Sequence, residues 1–309
     1  MRNILCVTLI ALLGGCTSTS VTEKYQDKRN DIINVKDKVI EFETGNVLIG
    51  SVSRLYMSNK CLLIADHKSV DKQIHIFNKN DFSYLTSIGN FGEGPEEITV
   101  MGCLAIDEAH HQLYVSDHAK QKIFSYDMDS VMVDSLYKPQ VKTAMNETLF
   151  PSEYQYINDT LSIAVLIKPT STSTFNQFLG RWNMNTGEMI PMKYTHPDIQ
   201  KKRITFAASE KAGIYVECYT RHDLMTICSL DGELLYNIYG PDWDGGNGNK
   251  LQSFGTVMIG NDKIFVSYCG EDYARDSFPT KILVFDLEGN YLKTLETRSE
   301  EHTSELQSQ

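Results

Sequence analysis

The sequence has 309 residues, of which 41% are hydrophobic and 22% are charged, a balance typical of a globular protein that can bury a sizeable core. The formal net charge is −11, and no run of basic residues offsets it. This charge argues against nucleic acid or an anionic membrane surface as a binding partner, because both repel an acidic protein.

The N-terminal segment has the features of a processing signal rather than of a folded element. Arg2 supplies the positive end, residues 4–13 form the apolar run, and residues 13–16 (LGGC) form the cleavage site. This apolar run is too short to span a bilayer. The LGGC motif resembles the lipobox of bacterial lipoproteins, which implies removal of residues 1–15 and acylation of Cys16. An ordinary secretory signal with a chance cysteine is the alternative.

Residues 16–38 are polar and lack apolar periodicity, so we predict a flexible tether between the lipid and the folded domain. If lipoprotein sorting rules apply, Thr17 directly after the acylated cysteine favours the outer membrane over inner-membrane retention. No acidic cluster that would signal surface export follows Cys16. The expectation is an outer-membrane lipoprotein that faces the periplasm in the cell envelope of a Gram-negative bacterium.

A short apolar, β-branched strand recurs through the rest of the chain at a nearly constant period. Consecutive copies are 51, 48, 53 and 50 residues apart, beginning at Leu62, Leu113, Leu161, Ile214 and Ile264. A second hairpin follows each copy, and its turn is rich in Asp, Asn and Gly, which tolerate tight turns. Repeats of about 50 residues with four strands each indicate the blades of a β-propeller.

The clearest copy occupies residues 112–139, where three strands are predicted at residues 113–116, 122–126 and 131–136. The innermost strands of the five blades are predicted at residues 51–56, 98–104, 153–157, 204–208 and 253–258. Arg54 and Glu153 are the only charged residues in these five stretches. A catalytic ring of metal ligands on the inner strands is therefore not expected.

The loop that ends the first unit, residues 89–98 (GNFGEGPEEI), carries a more specific signal. Its G-x-x-G-x-G-P-x-E-I pattern resembles the loop of the TolB-like six-bladed propeller lipoproteins, distant relatives of NHL-repeat propellers. The resemblance covers residues 50–297 and implies an all-β, six-bladed β-propeller of four-stranded antiparallel blades, without any established activity. We assign residues 39–297 to this propeller, with five blades present and the sixth largely missing. Residues 38–42 are a candidate closing strand of the missing blade.

The last segment, residues 298–309 (RSEEHTSELQSQ), does not continue the strand pattern. It resembles the in-frame translation of a common sequencing-library adapter. We therefore interpret it as a foreign tail and predict that it is poorly packed.

The candidate ligand site is the propeller face that carries the loops leading into the inner strands and the turns between second and third strands. Trp243 lies beside acidic residues and is expected to be exposed, so that a ligand could stack on it. Aromatic planes ringed by carboxylates suit a sugar or a peptide, and solvated loops without a ligand are the alternative. A calcium site in the loop of residues 240–249 has only two well-placed acidic ligands. The candidate residues are Trp243, Asp242, Asp244, Tyr273, Arg275, Phe278, Glu93, His67 and His118.

The sequence is compatible with two function classes. The first, which we favour, is a lipid-anchored binding or protein-interaction module whose partner is a small glycan, a peptide or an envelope protein, with no nucleic acid, cofactor or metal. The second is a propeller hydrolase or lyase with a metal in the central channel. The cysteines show no metal-like spacing, although Cys218 and Cys228 could face each other across a hairpin.

Overall fold

The computed structural model describes residues 22–134, 136–200, 202–247, 251–272 and 279–297. Within these ranges the chain forms five sheets, each built on four consecutive antiparallel strands. The predicted all-β propeller with four-stranded antiparallel blades is thereby confirmed for five blades. Among the described residues, no helix combines the length and the apolar composition needed to cross a bilayer.

The strands follow one another in chain order, and two short strands precede the first blade: β1 (Glu23–Tyr25) and β2 (Ile32–Asn34). Blade 1 contains β3 (Ser53–Met57), β4 (Cys61–Asp66), β5 (Lys72–Asn78) and β6 (Tyr84–Asn90). Blade 2 contains β7 (Met101–Asp107), β8 (Gln112–Asp117), β9 (Lys122–Asp127) and β10 (Gln140–Ala144). Blade 3 contains β11 (Phe150–Asn158), β12 (Leu161–Pro169), β13 (Phe175–Trp182) and β14 (Met189–Pro191).

Blade 4 contains β15 (Ile204–Ser209), β16 (Ile214–Tyr219), β17 (Leu224–Ser229) and β18 (Leu234–Tyr239). Blade 5 contains β19 (Leu251–Gly260), β20 (Lys263–Asp272), β21 (Lys281–Asp286) and β22 (Tyr291–Glu296). In blades 2 to 5 the first strand is innermost, because β7, β11, β15 and β19 contact one another in turn around the axis. In blade 1, Arg54 on the first strand reaches Glu153 on β11. The predicted innermost strands agree with the structure to within a few residues at each end.

The blades are held together by apolar side chains from facing sheets. Four core clusters join blades 1 and 2, 2 and 3, 3 and 4, and 4 and 5. In the cluster between blades 2 and 3, Trp182 is 1% exposed and packs edge-on against Tyr154, with ring centroids 5.1 Å apart. None of these four clusters joins blade 5 to blade 1. On the innermost strand of blade 1, accordingly, Leu55 is 70% exposed and Met57 is 51% exposed.

Blade 2 departs from the predicted pattern between its third and outermost strands. The strand predicted over residues 131–136 is absent from the described residues of that stretch, 131–134 and 136. The chain instead makes a short helix, α1 (Met128–Val133), before β10. Asp127 caps the helix, because its side chain accepts a hydrogen bond from the backbone N–H of Ser130 at 2.7 Å. One apolar residue of the helix, Val131, is buried. The apolar run of residues 131–136 is too short for its periodicity to distinguish a helical turn from a strand.

The N-terminal stretch is docked where the sequence predicted a flexible tether. Strand β1 pairs in parallel with β18, and β2 pairs in parallel with β22. Residues 22–36 therefore run along the outer edges of blades 4 and 5, and we call this stretch the strap. An outermost strand offers unpaired backbone groups that can bind polar chain as well as apolar chain, so the pairing needs no apolar pattern.

The residues after the strap do not form the closing strand that was proposed for residues 38–42. Lys38 ends a 3₁₀ turn (Lys36–Lys38), and residues 39–50 lie outside the strands. The ring of Phe42 stacks on Phe82 with centroids 4.4 Å apart and meets Phe77 edge-on at 6.2 Å. An aromatic contact to blade 1 thus replaces the strand pairing expected from the KVIEF pattern.

The two cysteines that could have faced each other across a hairpin do not do so. In the pairing of β16 with β17, Cys218 lies opposite Met225, and Cys228 lies opposite Tyr215. Both side chains are buried, as are those of Cys61, Cys103 and Cys269. All five behave as small core residues.

Candidate functional site

The propeller has two faces that differ in their loops. We call the face with the loops entering the innermost strands and the turns between second and third strands the upper face. The lower face carries the remaining turns. Buried aspartates organise the upper face: Asp66 accepts the backbone N–H of Gly50 at 2.7 Å, and Asp117 accepts those of Thr99 and Val100 at 2.8 and 3.2 Å. These carboxylates fix the entering loops and are not free for a ligand.

The glycine-rich loop of residues 90–99 is a closed structure that is held by its own side chains. The carboxylate of Glu97 accepts the backbone N–H of Gly94 at 2.8 Å, and a Cβ on Gly92 would collide with this carboxylate. The ammonium of Lys120 donates to the carbonyl oxygens of Gly94 and Glu97, both at 2.6 Å. Glu93 remains exposed at the tip. These polar groups of the loop therefore form hydrogen bonds that stabilise its own fold.

His67 and His118 lie on the upper face near the channel, and both contact β7, the innermost strand of blade 2. For His67 this is the neighbouring blade, and for His118 it is its own blade. His67 Nδ1 donates to the carbonyl oxygen of Met101 at 3.2 Å. The ring of His118 packs so closely on Gly102 that a Cβ there would collide with Nε2, and it meets Phe150 edge-on at 6.0 Å. Burial lowers the pKa of both imidazoles below the ordinary value, and nearby Arg54 lowers them further.

The channel carries an ion pair between the two charged residues that the sequence placed on the innermost strands. Arg54 Nη1 on blade 1 lies 2.8 Å from Glu153 Oε1 on blade 3, and both side chains are half-exposed. The two charges neutralise each other across the channel. A paired guanidinium and carboxylate offer orientation for a polar ligand but no nucleophile or general base that is free of a partner.

Trp243 is partly buried instead of standing exposed as the sequence suggested. Its indole contacts Tyr239, His196 and His222 at centroid distances of 4.9, 5.7 and 6.0 Å. Asp244, next to it, lies 3.4 Å from His222 Nδ1. Trp243 therefore packs into the core between blades 3 and 4, and only part of its ring can meet a ligand.

Asp242 points to a different place from Asp244, which argues against the calcium arrangement. Its carboxylate accepts the hydroxyl of Tyr268 at 3.1 Å. Beside it lies a small cavity of about 130 Å³ between the strap, the loop that follows blade 4 and the strands of blade 5. The cavity is lined by Arg29, Ile32, Pro241, Asp242, Tyr268, Lys281, Leu283 and Thr294.

The candidate residues thus fall into separate groups. His67, His118 and Glu93 belong to blades 1 and 2, whereas Trp243, Asp242 and Asp244 belong to the loop between blades 4 and 5. Tyr273, Arg275 and Phe278 lie outside the described residues, as do Cys16 and the C-terminal segment of residues 298–309. Arg29, Tyr268 and Lys281 were not predicted from the sequence. Arg29 lies in the strap and the other two lie near the ends of β20 and β21, and no local pattern indicates that they converge.

A second set of polar side chains, on the lower face, was also missed. One ligand atom each from Asp107, His110 and Asp159 lies within 4.8 Å of the others. Asp107 is buried, and its Oδ2 lies 2.8 Å from His110 Nδ1, which raises the pKa of that imidazole. The hydroxyl of Tyr156 donates to Asp159 at 2.7 Å. Two carboxylates and an imidazole are donors that a divalent transition metal accepts.

The chain belongs to a family of six-bladed β-propellers: the family model described as DUF5128, 6-bladed beta-propeller, matches residues 17–177. Similar solved structures include a Bacteroides fragilis NCTC 9343 protein provisionally named as exported, with TM-score 0.54 and 14% identity over 90% of this chain and 80% of that one. A DUF4221 family member from Bacteroides vulgatus ATCC 8482 has TM-score 0.55 and 11% identity over 78% of this chain and 80% of that one. These likenesses show the fold alone. Comparison with curated proteins finds no match.

Proposed function

We propose that this chain is a lipid-anchored β-propeller of the bacterial cell envelope, of the TolB-like and NHL-like kind, that acts as a binding or protein-interaction module. The lipobox at residues 13–16 supports an anchor on Cys16, and Thr17 supports an outer-membrane location facing the periplasm. The name of the Bacteroides fragilis protein agrees with export. Lipidation is tested by acyl labelling of the wild type and of Cys16→Ala, which should lose both the label and the membrane association.

The observation that carries the binding function is the cavity beside Asp242. It brings the cation of Lys281, the carboxylate of Asp242 and the aromatic ring of Tyr268 to one concave place. Arg29, whose guanidinium pairs with Asp223, forms part of its wall. Fixed charges of both signs next to an aromatic surface suit the amide groups and side chain of a peptide, or the hydroxyls of a sugar. A cavity of about 130 Å³ accommodates one side chain or the edge of one sugar ring rather than a whole ligand.

Binding is tested with the full chain in detergent micelles against a tripeptide library and an array of envelope oligosaccharides. We expect Asp242→Ala and Tyr268→Phe to lose the binding that the wild type shows, because each removes one partner of the 3.1 Å hydrogen bond at the cavity. Glu147→Ala is the matched control, since Glu147 is an exposed carboxylate of the same face, in the loop that enters blade 3. Equal binding by all three variants would reject this site.

The alternative function is a propeller hydrolase or lyase that uses a metal. It is favoured by one observation, the set of Asp107, His110 and Asp159 at the lower ends of the innermost strands of blades 2 and 3. Three protein donors is the number that catalytic zinc sites use. The test is a Zn²⁺ and Mn²⁺ titration of the wild type, His110→Ala and His111→Ala. His111 pairs with Asp129 at 2.7 Å and serves as the control, because its site has one carboxylate fewer.

A further inference from the structure

The strap is attached to the propeller rim by backbone hydrogen bonds at both of its ends. At blade 4, the N–H of Asn237 donates to the carbonyl of Thr22 at 2.7 Å, and that of Gln26 donates to Tyr239 at 2.9 Å. At blade 5, the N–H of Thr294 donates to Asp31 at 2.7 Å. The strap therefore extends two sheets by one strand each.

Side chains anchor the strap more firmly than these few backbone bonds would. Arg29 Nη1 lies 2.8 Å from Asp223 Oδ1, and these side chains are only 9% and 0% exposed. The carboxylate of Glu23 accepts the hydroxyl of Tyr239 at 2.5 Å, and the ring of Tyr25 stacks on Tyr239 at 4.5 Å. Glu23 and Tyr25, close to the start of the described residues, are consequently held in place on blade 4.

This docking shortens the connection between the acyl group and the fold. Between Cys16 and Thr22 the chain has only residues 17–21. Six Cα–Cα steps span at most about 20 Å when fully extended. A free tether over the whole of residues 16–38 could extend to about 75 Å by the same rule. The acylated cysteine lies at the membrane. The rim of blade 4 therefore stays within about 20 Å of the membrane surface.

We propose that the strap holds the propeller with the rim of blades 4 and 5 toward the membrane, an inference that rests on the proposed lipidation of Cys16. The ring axis then lies parallel to the membrane plane, because the rim is perpendicular to both faces. Both the upper face and the lower face open sideways into the periplasm. A net charge of −11 gives the protein no attraction of its own to an anionic lipid surface, so the strap sets the orientation.

The orientation is measured on the full lipoprotein in vesicles of phosphatidylethanolamine and phosphatidylglycerol. A fluorescent donor is placed on Asn30→Cys, in the strap, or on Val133→Cys, in α1 of blade 2, and the acceptor is a surface-labelled lipid. Both positions are exposed, and the five cysteines of the described residues are buried, so the label goes to the introduced thiol. Blade 2 is opposite blade 5 in a six-membered ring. We expect strong energy transfer from position 30 and its loss at position 133.

A linker insertion separates the role of the strap from that of the anchor. A long Gly-Ser insert after Ser20 should abolish the transfer from position 30, because it lengthens only the connection to the lipid. The same insert after Gly45, in the exposed turn beyond the strap, should leave the transfer unchanged. Equal transfer from positions 30 and 133 in acyl-labelled protein would overturn the orientation while leaving the lipoprotein assignment intact. Absence of acyl label on Cys16 would overturn both.

Discussion

The ion pair between Arg29 and Asp223 joins the strap to blade 4, so its contribution to stability can be tested by substitution. Removing one partner leaves the charge of the other buried and unpaired. We predict that Arg29→Met destabilises the propeller at neutral pH. Asp223 is 0% exposed and Arg29 is 9% exposed, with Nη1 and Oδ1 2.8 Å apart. The guanidinium also lies 5.5 to 5.8 Å from the ring centroids of Phe254, Tyr268 and Phe285. The substitution therefore removes a buried ion pair and three cation–π contacts together.

The magnitude follows from the geometry. At 2.8 Å, two unit charges attract by about 6 kcal/mol with an effective dielectric constant of about 20. Desolvation offsets much of this attraction, and removing one partner of a buried pair costs about 3 to 5 kcal/mol. Release of the strap would hydrate Asp223 and limit the loss. We therefore expect a decrease of about 3 kcal/mol in the free energy of unfolding, near the lower end of that range.

The pH dependence has a definite sign. Burial raises the pKa of Asp223, although Arg29 opposes this shift. Without Arg29 the pKa rises further, so the folded variant takes up a proton more readily than the unfolded chain does. The stability lost by Arg29→Met should therefore be recovered in part as the pH falls through the raised pKa toward the ordinary value near 4.

The assay is urea denaturation of the wild type, Arg29→Met, Asp223→Asn and the double variant at neutral and mildly acidic pH. The double variant should be more stable than Arg29→Met alone, because it no longer buries an unpaired charge. Arg181→Met is the matched control: Arg181 lies 3.3 Å from Asp231, with both side chains exposed, and its loss should cost less than about 1 kcal/mol. Equal effects of Arg29→Met and Arg181→Met, or no recovery in the double variant, would refute the reasoning.

Three further predictions rest on other parts of the fold. Burial lowers the pKa of His67, His75, His118 and His196, so the folded state resists their protonation, and the melting temperature should fall as the pH decreases from about 7 to about 5. His110, whose pKa is raised, opposes this trend, and a melting temperature that rises over this range would contradict the prediction. Gly102→Ala should destabilise the protein by about 1 to 3 kcal/mol, because its Cβ would collide with His118 and Ser116. Gly260→Ala, where a Cβ meets nothing within 4 Å, should change stability by less than about 0.5 kcal/mol in the same denaturation assay. Lys120→Met should open the loop of residues 90–99 to proteolysis, since the ammonium donates to the carbonyls of Gly94 and Glu97, whereas exposed Lys68→Met should not.

The blades could be predicted from the sequence because each is built from strands that follow one another in the chain. The recurring apolar strand and the turn residues between its copies are local signals, and the spacing of about 50 residues repeats them often enough to be recognised. The same reasoning identified Arg54 and Glu153 as the charged residues of the innermost strands. It did not distinguish the helical turn of α1 from a strand, because six residues carry too little periodicity.

The candidate site depended on contacts that no local pattern encodes. Trp243 seemed exposed because it lies among glycines and acids, yet His196, His222 and Tyr239 converge on it from other elements. The strap joins Glu23 to Tyr239, a separation of 216 residues, through backbone pairing and polar side chains. Composition alone made this stretch resemble a tether. Local patterning thus determined the blades, whereas packing between distant residues decided which side chains are free and which edge of the propeller is covered.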